Sequence, residues 1–176
     1  MQDAPHACMR PFTSFLTTVA MTASAHAAAP SSLSVTSSAF GANGQIPIEY
    51  TCDGRQVSPP LTWSAPPAGT KSVAVLVEDP DAPRGTFTHW IVTGVPANVT
   101  SLPTGKLPSG AVAGTNDFGA ASWGGPCPPS GTHHYVFRVF ALDIPLAKAL
   151  NPSTFKAAIA GHVLAQGQLV GTYQRH

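Results

Sequence analysis

Past residue 30, the pattern of apolar and polar residues predicts several β-strands. Leu33–Ser37 alternates apolar and polar side chains, which is typical of a strand with one buried face. Ser72–Glu78 is nearly all apolar and β-branched, so we expect a central strand buried on both faces. His89–Val95 and Tyr135–Leu142 predict two more strands, and Leu164–Tyr173 predicts a last strand with a kink at its glycines.

One segment near the C-terminus has the period of a helix instead. Asn151 can cap a helix that starts at Pro152, a residue suited to the first turn. Phe155 and Ile159 then fall on one face, and Gly161 ends the helix. The pattern therefore predicts a mainly β chain with one short helix.

Composition narrows the class of protein further. The chain has 176 residues, with 9 Lys+Arg against 8 Asp+Glu, so no basic surface is expected to hold nucleic acid. Charged residues make up 10 % and hydrophobic residues 43 %, which indicates a packed core and excludes a disordered chain. The 18 Pro and 16 Gly favour short strands joined by ordered loops over a helical bundle.

The first 29 residues have the pattern of an export signal. Arg10 precedes a mildly apolar run, and the segment ends with small residues around His26, which fit a signal-peptidase site after Ala27 or Ala29. We therefore predict a signal peptide over 1–29, a periplasmic or secreted protein, and one domain over 30–176. The alternative is an uncleaved extension on a cytoplasmic protein. No apolar run is long enough to predict a transmembrane helix.

Cleavage would also change the cysteine count. Cys8 would be removed and Cys52 and Cys127 would remain, an even number in an oxidising compartment. The sequence leaves open whether these two form a disulfide or stay as separate thiols, because spacing alone does not place them within bonding distance.

Three segments carry most of the candidate chemistry. Asp79–Pro83 follows the predicted central strand, and its prolines hold two carboxylates on a stiff turn. His89 opens the next strand, and Gly124-Gly125-Pro126 begins a loop that leads into His133. Glycines there let a ligand approach the backbone and leave N–H groups free. The alternative interpretation is a rigid turn with solvated carboxylates beside structural histidines.

Strand parity separates the two adjacent histidines. His133 shares a face with Tyr135, whereas His134 shares the opposite face with Arg138. His134 is therefore set aside as a site residue, which weakens a metal centre built on several histidines. We predict no metal and no cofactor.

The order and spacing of these segments resemble the phosphatidylethanolamine-binding protein (PEBP) family, in particular its bacterial branch labelled Raf kinase inhibitor-like. The resemblance runs from about residue 37 to residue 175 and rests mainly on the Asp79–Pro83 motif and on the loop that leads into His133 and Tyr135. Shorter matches are Tyr50–Gly54, Ser58–Leu61, Asn116–Gly119 and Gly161–Ala165.

The resemblance implies a Greek-key β-sandwich in which a large antiparallel sheet packs on a smaller one. It also implies an anion pocket at one end of the sheet, which in relatives takes phosphate, acetate, phosphoethanolamine or a phosphotyrosine-like group. The residues that match this ligand-binding site are Asp79, Pro83, His89, Gly124, Gly125, Pro126, His133 and Tyr135.

Two imidazoles, an aromatic rim and backbone N–H groups can hold an anion without Lys or Arg. We expect Asp79 to raise a histidine's proton affinity, so anion affinity should rise as the pH falls from about 7.5 to about 6. The predicted partners are therefore a small anion or a phospholipid head group.

Other functions remain open. Asp79 with His89 or His133 could supply acid/base catalysis in a small-molecule enzyme. Residues 96–130 could instead form a long loop that inhibits a kinase or peptidase. A homodimer is a further alternative that the sequence leaves open.

Overall fold

The computed structural model describes residues 1–2 and 30–175, and it consists of two β-sheets and one α-helix. The strands are β1 (Ser31–Ser32), β2 (Val35–Thr36), β3 (Gly44–Gln45), β4 (Leu61–Trp63), β5 (Ser72–Asp79), β6 (Phe87–Pro96), β7 (Ser101–Leu102), β8 (Val112–Ala113), β9 (Thr132–Leu142) and β10 (Val163–Gln174). The helix α1 is Pro152–Ile159, and a short 3₁₀ turn covers Ile48–Tyr50. This architecture confirms the prediction of a mainly β fold with a large sheet, a smaller sheet and one helix near the C-terminus.

The large sheet has seven strands, and the small sheet has three. Strand order in the large sheet is β1-β10-β9-β5-β6-β8, and β3 also pairs with β10. The small sheet has the order β2-β4-β7. Strand β5 lies inside the large sheet, antiparallel to both β6 and β9, and all eight of its residues are buried. The chain therefore builds its centre from the segment with the longest apolar run, as the sequence predicts.

The large sheet separates two hydrophobic clusters. One face carries Val73, Val75 and Val77 of β5 and packs toward the small sheet, where Leu61 and Trp63 belong to the same cluster. The other face carries Leu76 and Phe140 and packs against α1, whose Phe155 is fully buried. Because β5 contributes to both clusters, its register decides which of its side chains lie on each side of the sheet.

Helix α1 begins as its sequence predicts. The Asn151 side chain accepts a hydrogen bond from the backbone N–H of Thr154, and the Thr154 hydroxyl accepts one from the backbone N–H of Asn151. This reciprocal cap satisfies donors that the first helical turn leaves free. Gly161 follows with a φ of 79°, a backbone conformation that glycine adopts readily.

Two segments differ from what the sequence predicts. Residues 96–130 are not one long loop, because β7 pairs with β4 and β8 pairs with β6 inside this segment. Of the predicted strand Leu33–Ser37, only Val35–Thr36 is a strand, β2, which pairs with β4. Strand β1 lies just before this segment and pairs with β10. Short strands of two or three residues carry too little periodicity to be recognised from the pattern alone.

A disulfide joins Cys52 to Cys127, 75 positions apart in sequence. It ties the turn after the 3₁₀ helix to the loop before β9, and the backbone N–H of Cys52 also donates to the carbonyl of Pro126 at 3.1 Å. The Trp123 indole N–H donates to the carbonyl of Tyr50 nearby. Three links therefore hold these two loops together.

The predicted signal peptide falls almost entirely on residues 3–29, which lie outside the described part of the chain, and it stays a prediction. In the described part, no helix is long and apolar enough to cross a membrane.

Reduction of the Cys52–Cys127 bond is expected to lower the free energy of unfolding by about 2–5 kcal/mol, because the crosslink closes a long loop and restricts the unfolded chain. Urea denaturation with and without a thiol reductant measures this difference. The Cys52→Ser, Cys127→Ser double variant is the control, since its midpoint should not respond to reductant. Equal midpoints for the oxidised and reduced wild type would contradict the prediction.

Candidate functional site

A cavity of about 170 Å³ lies where β5 ends and where β6 and β9 begin. It is on the face of the large sheet that is turned toward the small sheet. Asp79 is the last residue of β5, and His133 is near the start of β9. His89 comes from β6. Three neighbouring strands therefore bring a carboxylate and two imidazoles to one cavity, although these residues span 54 positions of sequence.

A β-bulge places His89 in this group. Val77 pairs with Trp90, but the next residue of β5, Glu78, pairs with Thr88, so His89 has no partner on β5. Side chains alternate along a regular strand, and His89 would then point to the same face as Ile91, which packs under α1. The extra residue turns His89 toward the Asp79 face, a known use of bulges beside sites.

Asp79 and His133 form a buried pair. The Nδ1 atom of His133 lies 2.7 Å from Oδ2 of Asp79, and both side chains are under 10 % exposed. Oδ1 of Asp79 accepts from the backbone N–H of Asp81, which fixes the carboxylate in place. A carboxylate only accepts hydrogen bonds when ionised, so Nδ1 of His133 carries the proton and Nε2 is the nitrogen left for a ligand.

His89 is anchored in the same way by a different acceptor. Its Nδ1 atom lies 2.7 Å from the carbonyl oxygen of Gly124. A carbonyl oxygen can only accept a hydrogen bond, so Nδ1 of His89 also carries a proton. Within residues 30–175, Nε2 of His89 makes no hydrogen bond. Both rings are therefore held through Nδ1, and each offers Nε2 to a ligand.

Gly124 and Gly125 are buried beside the cavity and position the residues that line it. The N–H of Gly124 donates to the carbonyl of His89, so this amide is used by the protein and is not free for an anion, contrary to the sequence expectation. A Cβ atom on Gly125 would lie 2.8 Å from backbone atoms of Tyr50 and Thr51. Glycine is needed at Gly125 because the backbone of the other loop occupies that space.

Tyr135 lies behind the imidazoles. Its side chain is fully buried, and its ring packs edge-on against His89 with centroids 5.1 Å apart. Burial, together with the nearby charge of Asp79, raises the pKa of the Tyr135 hydroxyl far above its ordinary value. The hydroxyl oxygen has no hydrogen-bond partner among the described residues.

Apolar side chains surround the mouth of the cavity. Phe87 and Phe118 pack edge to face with centroids 4.7 Å apart, and Phe118 is 53 % exposed. Pro83 and Pro129 line the cavity and are also exposed. The cavity thus has polar nitrogen atoms inside and an apolar rim outside.

Burial controls the protonation of His89. Desolvation lowers its pKa from the ordinary value of 6.5, although the Gly124 carbonyl and the charge of Asp79 act in the opposite direction. The residues of the motifs predicted cationic imidazoles, but the lowered pKa of His89 favours its neutral form at neutral pH. A low dielectric disfavours a charge that no ligand balances.

Half of the residues predicted for the ligand site line the cavity. Asp79, Pro83, His89 and His133 do so. Gly124, Gly125, Pro126 and Tyr135 are buried beside it and are not on its lining.

Several residues of the lining were not predicted from the sequence, namely Ala82, Phe87, Phe118, Pro128 and Pro129. A signal for Phe118 existed, because it lies in the Asn116–Gly119 match, but its position near His89 depends on a tertiary contact.

His134 points away from the cavity, as strand parity predicts. Its Nδ1 atom lies 2.7 Å from Oδ2 of Asp81, and the side chain is 53 % exposed. Among residues 30–175, no group of three or more His, Cys, Asp or Glu side chains has an arrangement that could hold a metal ion.

Below about pH 6.5 the free energy of unfolding is expected to fall because of His89. Its pKa is lowered in the folded state, so the unfolded chain binds more protons there, and acid favours unfolding. Urea denaturation of wild type and His89→Gln from pH 7.5 to pH 5.5 isolates this contribution, since all other titrating groups are shared. The stability difference between the two proteins should change across this range, and parallel profiles would contradict the assignment.

Gly125→Ala is expected to lower the free energy of unfolding by about 1–3 kcal/mol, because the new methyl group meets backbone that cannot move aside. Gly41→Ala is the matched control, since a Cβ there has nothing within 4 Å. Thermal or urea unfolding compares the two variants. If Gly125→Ala proves as stable as Gly41→Ala, the tight contact between the two loops is wrong.

Comparisons with known proteins agree with this fold. Residues 36–174 match the model of the phosphatidylethanolamine-binding protein family. A UPF0098 protein of Methanothermobacter thermautotrophicus is 45 % identical over 146 residues, which are 78 % of this chain and 95 % of the relative. A Mycobacterium tuberculosis protein provisionally named lipoprotein LppC is 40 % identical over 168 residues, or 93 % of this chain and 82 % of the relative.

A solved structure is similar as well. Escherichia coli YbcL, described as a new member of the mammalian PEBP family, has a TM-score of 0.76 and 39 % identity, and the match covers 82 % of this chain and 99 % of YbcL. The family model and these relatives span the strands that carry Asp79, His89 and His133. The chain therefore belongs to the phosphatidylethanolamine-binding protein family.

Proposed function

We propose that this protein binds a small anion, namely a phosphate group that is either free or part of a phosphoethanolamine head group. One observation carries the proposal. His89 and His133 are each anchored through Nδ1 at 2.7 Å, so both rings can offer Nε2 to the same small cavity. Once protonated, these two preorganised Nε2 atoms are donors at one site, which suits an oxyanion with several acceptor oxygens.

The size of the cavity favours a head group over a whole lipid. Its volume is about 170 Å³, below the range of roughly 300–1,000 Å³ that is typical of pockets for drug-sized ligands. The apolar rim of Phe118, Pro83 and Pro129 suits an anion attached to an apolar or aromatic group. Any kinase or peptidase inhibition would then depend on a partner that presents a phosphate group to this rim.

Anion binding is coupled to proton uptake in this proposal. His89 favours its neutral form when buried, and its Nε2 atom becomes a donor only after it is protonated. A bound anion supplies the opposite charge that burial otherwise lacks, so binding and protonation support each other. Affinity therefore rises as the pH falls, in the same direction as the sequence expectation but for a different reason.

A second candidate function is acid/base catalysis, which the Asp79–His133 contact favours. A carboxylate that orients an imidazole through Nδ1 is a recurring arrangement in hydrolases. Cys127 lines the cavity but is held in the disulfide with Cys52, so it is not available as a nucleophile. Turnover of nitrophenyl esters and phosphoesters that is lost in Asp79→Asn would favour catalysis over simple binding.

We also propose export to an oxidising compartment, periplasmic or extracellular. The Cys52–Cys127 disulfide supports this location, since such bonds persist mainly outside the reducing cytosol. The provisional lipoprotein name of the Mycobacterium tuberculosis relative agrees with it. Fractionation of host cells and the mass of the mature N-terminus test the proposal, and a cytosolic, uncleaved protein would contradict it.

Sulfate is expected to bind more tightly at pH 6 than at pH 7.5, by about tenfold to thirtyfold, because His89 takes up one proton with the anion. Phosphate affinity should change in the same direction. Sulfate is the sharper probe, since its own charge is constant over this range. Isothermal titration calorimetry in two buffers of different ionisation enthalpy measures affinity and proton uptake together.

His89→Gln should abolish the proton uptake, and His133→Asn should weaken binding at least tenfold, or about 1.4 kcal/mol. His162→Gln is the matched control, because His162 pairs with Asp143 at 2.8 Å in a half-exposed position and does not line the cavity. Affinity that does not depend on pH, or equal losses in all three variants, would overturn the proposed function.

A further inference from the structure

A second and larger cavity lies beside β6, and nothing in the proposed anion site uses it. It has a volume of about 510 Å³ and is formed by three loop segments, 56–58, 105–107 and 121–123, with Trp90 and Ala113 between them. We call this cavity the groove. Its volume falls in the range of roughly 300–1,000 Å³ that small organic ligands occupy.

Two tryptophans give the groove a rigid base. Trp90 and Trp123 pack edge to face with centroids 5.6 Å apart. Trp123 also stacks on Phe137, and its indole N–H donates to the carbonyl of Tyr50 at 3.0 Å. Because both rings are almost fully buried, they form a base that a ligand cannot displace. Val57 and Leu107 add apolar walls, and Leu107 is 36 % exposed.

The loops around the groove are held in fixed positions. The N–H of Gly105 donates to the carbonyl and to the hydroxyl oxygen of Ser58, which ties two of the three segments together. Gln56 adopts a φ of 54°, a left-handed conformation that is uncommon for a residue with a side chain. Such conformations persist where surrounding structure enforces them, and they concentrate at binding sites.

The charge of the groove has one sign. Lys106 is the single charged residue on its lining, and no carboxylate lines it. In the described part of the chain, Lys106 makes no ion pair, whereas Lys156 and Arg138 both pair with Glu78. The side chains of Gln56, Ser58 and Ser122 add neutral polar groups. An apolar base beside one uncompensated ammonium group favours a monoanion with an apolar body.

We propose that the groove binds a small carboxylic acid with a flat apolar body. The carboxylate pairs with the ammonium group of Lys106, and the ring lies between Val57 and Leu107 above the two tryptophans. This site is separate from the anion pocket, because the two cavities share no lining residue. One stretch of chain connects the two cavities, however. Trp123 lines the groove, and the carbonyl of the next residue, Gly124, is the hydrogen-bond partner of His89 Nδ1.

Titration with 2-naphthoate tests the proposal, with excess phosphate present to fill the anion pocket. In ¹⁵N-labelled protein, the indole N–H signals of Trp90 and Trp123 should shift, while that of Trp63 should not, because Trp63 lies in the core and not on the groove. The uncharged analogue 2-naphthamide should bind at least five times more weakly, since it lacks the charge that Lys106 attracts.

Lys106→Gln should weaken 2-naphthoate binding about fivefold to tenfold without changing sulfate affinity or the free energy of unfolding. Lys148→Gln is the matched control, because Lys148 is also exposed but does not line the groove. Three results would each overturn the proposal. They are equal affinity for acid and amide, unchanged affinity in Lys106→Gln, and absence of binding at millimolar 2-naphthoate. Loss of 2-naphthoate binding in His133→Asn would also overturn it, by assigning the acid to the anion pocket.

Discussion

Strand β5 is the constraint on which the rest of the structure depends. All eight of its residues are buried, and it pairs along both edges with β6 and β9. A shift of one residue would exchange the faces of Glu78 and Asp79. Asp79 would leave His133, and Glu78 would leave the Arg138 and Lys156 side chains that neutralise it on the opposite face. The core and the cavity therefore require the same register.

The strongest elements of the fold were predictable because their patterns are long. Strands β5, β6, β9 and β10 have eight to twelve residues, and α1 has a cap, an apolar face and a terminating glycine. Strand β4, by contrast, follows two prolines and has only three residues. Strands β7 and β8 have two residues each and exist only because a neighbouring strand pairs with them. Tertiary pairing of this kind has no local signature.

The candidate site was predictable in residue type but not in arrangement. The motifs around Asp79, His89 and His133 identified its chemistry, and parity correctly placed His134 elsewhere. The bulge that turns His89 could not be foreseen, because it is defined by pairing with β5. The role of the glycines also differed. Gly124 orients His89 with its carbonyl, whereas the sequence suggested a free N–H. Such details depend on which loop packs against which.

The residues that line the cavity come partly from strands and partly from loops. Asp79, His89 and His133 belong to strands whose register the core fixes. Phe118 and Pro129 belong to loops, which tolerate substitution and insertion more readily than strands do. Substitutions in the loops can therefore reshape the mouth of the cavity without disturbing the register that positions Asp79, His89 and His133. The opening can change in sequence while the chemistry inside the cavity stays the same.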